Sequence, residues 1–134
     1  MGYKVESLDT NAILRVLLQD VPEQKRKVAE LLTRPNVIYR LDPAVIIEAV
    51  YVMERAPYDC SREQVRKKLG MLFKLMNIMC DIEAFSEAAD MYVEHPKLSF
   101  VDCYLAAVAE KNNASPLWTF DKDMAKQLEV AEEV

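Results

Sequence analysis

Apolar positions along the chain switch repeatedly between a period near two and a period near 3.6. Tyr3 to Leu8 alternates loosely and ends at Asp9-Thr10, after which Ala12, Ile13, Val16 and Leu17 recur at helical spacing, so a strand leads straight into a helix. Pro22 opens a second helix over 23–34, with Val28, Leu31 and Leu32 expected to face inward. Val37-Ile38-Tyr39 reads as a short strand, and Asp42-Pro43 supplies a cap and a first helical residue for a helix over 43–55. That helix is apolar almost all round, which predicts burial on every side. After a turn at 56–59, Ser61 caps a basic helix through Leu75, and Asn77 to Cys80 is a further short strand candidate. Asp81 or Ile82 starts a helix to Glu94, and Ser99 caps another over 100–111. Asn112 to Ala114 is a turn, Leu117-Trp118-Thr119-Phe120 is β-rich, and 121–128 is a last short helix.

Strands alternating with helices predict an α/β fold whose parallel sheet is covered on both faces. Ligands of such folds bind beyond the carboxyl ends of the strands. The chain has 134 residues, the size of a single domain over 1–134, and its apolar runs are too short for a transmembrane helix. No apolar leader opens the chain, and three widely spaced cysteines (Cys60, Cys80, Cys103) without a Cys-x-x-Cys pair read as reduced thiols, so a cytoplasmic location is expected. The single histidine, His95, precedes Pro96 at an expected helix end and reads as a C-terminal cap, which leaves no base for Ser-His or Cys-His chemistry.

Acidic residues occupy the strand ends. Asp9 closes the first strand and Asp121 the last one expected, while Asp102 and Glu48 each stand alone in an apolar helical segment. An isolated buried carboxylate costs several kcal/mol unless it is paired or binds a cation, so convergence of these four would call for a metal. Each Asp also has a simpler reading: Asp9 and Asp121 as helix N-caps, and Ser99-x-x-Asp102 as a capping box. Glu48 lies about five residues inside its helix, too far in to cap it.

With these four acids in place, the whole chain resembles the PIN-domain family, in particular its VapC-type toxin ribonucleases. Leu8-Asp9-Thr10-Asn11 is similar to the first family motif, Glu48 in its apolar helix to the second, Ser99-Phe100-Val101-Asp102 with Ala106 to the third, and Thr119-Phe120-Asp121-Lys122-Asp123 to the fourth. The resemblance implies a three-layer α/β/α sandwich around a central parallel sheet and a Mg²⁺- or Mn²⁺-dependent endoribonuclease acting on single-stranded RNA. It further implies Asp9, Glu48, Asp102 and Asp121 as catalytic and metal-binding acids, with Asn11, Thr119 and Asp123 in support. Asp123 competes with Asp121 for the fourth place. Hard divalent cations prefer carboxylate oxygens, neutralise a phosphodiester and activate water, so the chemistry is coherent on its own terms. Asp9 and Asp102 are then the principal expected ligands, Asp121 a further or water-mediated one, and Glu48 the group that orients or deprotonates water.

Net charge is −5, and the four acids account for all but −1 of it. Residues 62–74 carry Arg62, Arg66, Lys67, Lys68 and Lys74 against Glu63 alone, which makes that helix a candidate phosphate-contacting surface as well as an ordinary solvated face. Arg15, one turn beyond Asn11, is a second candidate contact. The resemblance also implies a homodimer and a cognate antitoxin protein as partners. Tyr51, Val52 and Met53 with Met71, Leu72, Phe73 and Met76 offer apolar surface that serves either as core or as interface. A phosphatase of the haloacid-dehalogenase type fails on length, since Asp121-x-Asp123 would have to follow the first strand and only eleven residues follow it here. A non-catalytic PIN-like scaffold that binds RNA or a partner protein is the remaining alternative.

Overall fold

A computed structural model describes residues 2–134, and the chain divides into two compact units, 1–80 and 81–134. Helices and parallel strands alternate in both, which makes the fold α/β.

In the first unit, β1 (Lys4–Ser7), β2 (Val37–Arg40) and β3 (Ile78–Met79) form a parallel sheet in that order. Val5 lies opposite Ile38, and Tyr39 opposite Ile78. Four helices belong to this unit: α1 (Thr10–Leu17), α2 (Pro22–Leu32), α3 (Pro43–Glu54) and α4 (Arg62–Phe73). Helix α1 packs against α2, α3 and α4, and Ile13, Leu14 and Leu17 from it join Ile46, Val50, Met53, Val65, Leu69 and Leu72 in the core. Helix starts follow the cap residues in the chain: Asp42 caps α3 ahead of Pro43, and Ser61 with Gln64 forms a reciprocal capping box on α4.

The second unit holds α5 (Ile82–Glu94), α6 (Phe100–Lys111), β4 (Leu117–Thr119), α7 (Lys122–Gln127) and β5 (Ala131–Glu133). Alanines 84, 88, 106 and 107 are fully buried, which lets the α5 and α6 backbones approach closely. Between these helices Phe85 stacks on Tyr104 at 4.4 Å, and Tyr92 meets Phe100 edge-on at 5.4 Å. Strands β4 and β5 pair in parallel, with Trp118 opposite Glu132. His95 is the C-cap of α5, as expected, and its Nδ1 lies 3.0 Å from Gln127 Oε1.

Several expectations need correction. Helix α3 is buried on one face only, through Ile46, Ala49, Val50 and Met53, whereas Ala44, Glu48 and Tyr51 reach solvent. Its nearly uniform apolar pattern conceals that split. On α2 only Val28 is buried; Leu31 is 37% exposed, and its carbonyl accepts a hydrogen bond from the Tyr39 hydroxyl. Met53 and Leu72 sit in the core and are unavailable to a partner, while Tyr51, Met71 and Met76 are exposed. Strand β5 lies outside the expected elements, because Ala-Glu-Glu carries no β-rich signal. No helix among the described residues is long and apolar enough to cross a membrane.

Candidate functional site

All three aspartates hold helix N-termini. Asp9 Oδ1 accepts the Ala12 N–H at 3.0 Å, and Asp121 Oδ1 accepts the N–H groups of Asp123 at 2.9 Å and Met124 at 3.1 Å. Asp102 closes a capping box: its N–H donates to Ser99 Oγ at 3.1 Å while its Oδ2 accepts the Ser99 N–H at 3.4 Å. Asp9 and Asp121 are therefore N-caps after their strands, and Asp102 is the N3 half of a capping box. One oxygen per carboxylate does this work. Asp9 Oδ2, Asp102 Oδ1 and Asp121 Oδ2 accept no hydrogen bond among the described residues.

Glu48 is free of capping duties and makes no hydrogen bond or ion pair among the described residues. It projects from the solvent face of α3 into a groove of about 660 Å³ lined by Ala44, Ile47, Tyr51, Glu54 and Arg55. Those positions recur at three- and four-residue intervals, so a single helix face makes the wall. Burial does not drive the chemistry of these acids: Asp9, Glu48 and Asp121 are exposed and Asp102 is half-buried. The burial expected of Glu48 and Asp102 in their apolar segments is corrected accordingly, since a hydrated carboxylate bears little of the desolvation penalty. Asp9 and Glu48 belong to the first unit, Asp102 and Asp121 to the second. Among the described residues, no group of three or more His, Cys, Asp or Glu side chains stands ready to hold a metal ion.

The supporting residues fall near these acids. Thr119 Oγ1 accepts the Asp121 N–H at 2.9 Å and so fixes the turn that presents Asp121. Asp123, in the first turn of α7, has its carboxylate 3.9 Å from Lys97, an ion-pair partner that Asp121 lacks. Asn11 is exposed in the first turn of α1.

Arg15 is not an accessible cation. It is 9% exposed, its guanidinium donates to Asp20 at 3.0 Å, and the Tyr58 hydroxyl donates to the same carboxylate. The Tyr58 hydrogen bond and then Arg15 hold the Asp20 carboxyl below its ordinary range. Arg15 Nε is buried without a hydrogen-bond partner among the described residues, so the Asp20 ion pair is what compensates the buried guanidinium. Lys68 is likewise occupied, donating to the Leu17 carbonyl at 3.2 Å at the end of α1, where a cation complements the helix dipole. Arg66 and Lys67 are exposed on α4, and Arg62 is half-buried. Sequence reasoning also passed over Trp118 and Phe120 as mere strand formers, although both are exposed. Their alternation with half-buried Leu117 and Thr119 is the signal that marks them.

The chain matches no curated protein and no solved structure. A family model for the PIN domain does match, over residues 7–129, and so spans every acid above and both units. PIN domains are in general nucleases. On that match, covering nearly the full length, the chain belongs to the PIN-domain family.

Proposed function

We propose that this protein is an endoribonuclease that hydrolyses phosphodiester bonds of single-stranded RNA with Mg²⁺ or Mn²⁺, and that it is the toxin of a toxin-antitoxin pair. The observation that carries the reading is the free carboxylate oxygen left at each of three capping aspartates in a chain of a nuclease family. An N-cap such as Asp9 or Asp121 is served equally by Ser or Asn, and the N3 place of Asp102 in its capping box by Gln. Aspartate at all three positions adds a charge that capping does not require.

The donor set fits a hard dication. Mg²⁺ takes oxygen ligands and keeps several waters, binding through one or two carboxylates together with substrate phosphate, so a prebuilt cage of three acids is not a requirement. Asp9 Oδ2, Asp102 Oδ1 and Asp121 Oδ2 are each a carboxylate oxygen of the kind such a cation takes. Bound there, the cation supplies charge neutralisation at the phosphodiester and a more acidic water. The remaining chemistry belongs to the chain. Hydrogen bonds from Ala12, Ser99 and the Asp123–Met124 pair lock each aspartate in one orientation, so the free oxygens need no reordering when substrate arrives. Glu48, unpaired and hydrated, has a carboxylate that can accept the proton of an attacking water. Thr119 keeps Asp121 at its turn, and the Lys97 pairing of Asp123 favours Asp121 as the fourth acid. Arg66 and Lys67, both on the exposed side of α4, are the expected phosphate contacts.

Incubating total cellular RNA with the protein and mapping new 5′ and 3′ ends tests the proposal. Cleavage at unpaired positions should appear with Mn²⁺ or Mg²⁺, vanish in EDTA, and be lost in Asp102→Asn while Asp59→Asn, in an exposed turn, cuts like wild type. Metal-independent cutting, or an active Asp102→Asn, refutes it.

A further inference from the structure

Two exposed aromatic rings stand on the segment that leads to Asp121, Trp118 in β4 and Phe120 just past its end. Trp118 is 59% exposed and Phe120 79% exposed, while Leu117 and Thr119 are half-buried, so the exposed positions alternate with inward ones. Neither ring makes a ring contact among the described residues. Two residues of extended chain span about 6.6 Å, close to twice the roughly 3.4 Å rise of stacked nucleotides. Leaving two large aromatic surfaces hydrated forgoes some of the largest burial gains available to a side chain, so their exposure contributes nothing to folding. Cations follow at once. Lys122 and Lys126 lie one helical turn apart on α7, line a shallow cavity of about 610 Å³ together with Glu132 and Glu133 of β5, and have no hydrogen bond or ion pair among the described residues.

We propose that Trp118 and Phe120 form a stacking platform for unpaired RNA bases, with Lys122 and Lys126 meeting the backbone phosphates, so that a nucleotide is seated one residue away from the Asp121 carboxylate. The identity of the strand as substrate rests on the nuclease reading; the platform itself rests on the aromatic and cationic placement. Flat rings recognise flat bases of any sequence, and lysines recognise the phosphates between them. A duplex hides its base faces in the helical stack and offers such a platform little.

Trp118 is the only tryptophan in the chain, so its fluorescence reports this spot alone. Oligouridine of about twelve nucleotides, and an RNA duplex of the same length, would be titrated into the protein in EDTA. Single-stranded RNA should quench Trp118 and bind at least tenfold more tightly than duplex. Phe120→Leu should weaken that binding roughly 10- to 100-fold with the melting temperature unchanged, since the ring is in solvent. Lys122→Gln with Lys126→Gln should lower the slope of log K against log salt by about 1.4, near 0.7 for each phosphate that is no longer neutralised. Absent quenching, equal affinity for duplex, or wild-type affinity in Phe120→Leu overturns the platform. Cleavage plays no part in this titration: a protein that quenches yet never cuts RNA with Mn²⁺ overturns the nuclease reading alone, and one that cuts without quenching overturns the platform alone.

Discussion

Replacing Asp9 by asparagine separates two jobs done by one carboxylate. Oδ1 caps α1 through a single hydrogen bond of 3.0 Å from Ala12, and Oδ2 is open. An asparagine side chain keeps an acceptor oxygen for the cap, and Asn ranks with Asp as an N-cap, so Asp9→Asn should change stability by less than about 0.5 kcal/mol. Asp9→Ala removes the acceptor and should cost about 1 kcal/mol. For a chain of this size that is a fall of about 4 °C in Tm, against less than about 2 °C for the asparagine. Function should order the variants differently. Both lose the charged free oxygen, and since outer-shell partners of a metal site already cost 10- to 100-fold, loss of a ligand should lower Mn²⁺-dependent cleavage by at least about 100-fold in each. Wild type should also gain about 2.7 kcal/mol from Mn²⁺ at one hundred times its Kd, visible as a Tm shift that both variants lose. Thermal melts in EDTA and in Mn²⁺, run beside cleavage of a fluorescent single-stranded oligonucleotide, read all four quantities. An Asp9→Asn protein that cuts at the wild-type rate and keeps the Mn²⁺ shift would show that Asp9 is only a cap. Equal Tm losses in the Asn and Ala variants would refute the capping geometry instead.

The Arg15–Asp20 ion pair makes a prediction of opposite sense. Asp20→Ala leaves the buried guanidinium without its counter-charge and should cost about 2–3 kcal/mol in urea denaturation, whereas Arg15→Met removes charge and orphaned Nε together and should stay within about 1 kcal/mol of wild type; a more damaging Arg15→Met, or one that loses RNA affinity, contradicts that role for the pair. Assembly is tested at Met76, 99% exposed, where a glutamate should leave the fold intact and convert a homodimer to monomer in light scattering; Met53 is unsuitable for this purpose, because a charge there enters the core. A wild-type monomer at micromolar concentration excludes the dimer.

Local information in the chain determined most of the element list. Cap residues at Asp9, Asp42, Ser61, Asp81 and Ser99 place the starts of five helices, because an N-cap acts through hydrogen bonds to residues two or three positions away. The order of acids relative to those elements was legible for the same reason, and with it the family. Tertiary structure decided which faces of those elements meet water. An almost uniformly apolar segment such as 43–54 has no polar stripe to reveal its exposed side, so only packing against α1 and α4 shows that Ile46 and Met53 go inside while Glu48 and Tyr51 stay out. Arg15 looks like any helical arginine in sequence. Its burial depends on Asp20 and Tyr58, the second of them 43 positions further along, and separations of that length leave no periodic trace. Strand β5 likewise exists through its register with β4, a non-local pairing that Ala-Glu-Glu does not announce. Short-range hydrogen bonding is written in neighbouring residues, whereas exposure depends on everything that folds against a residue, and that is known only once the chain has closed on itself.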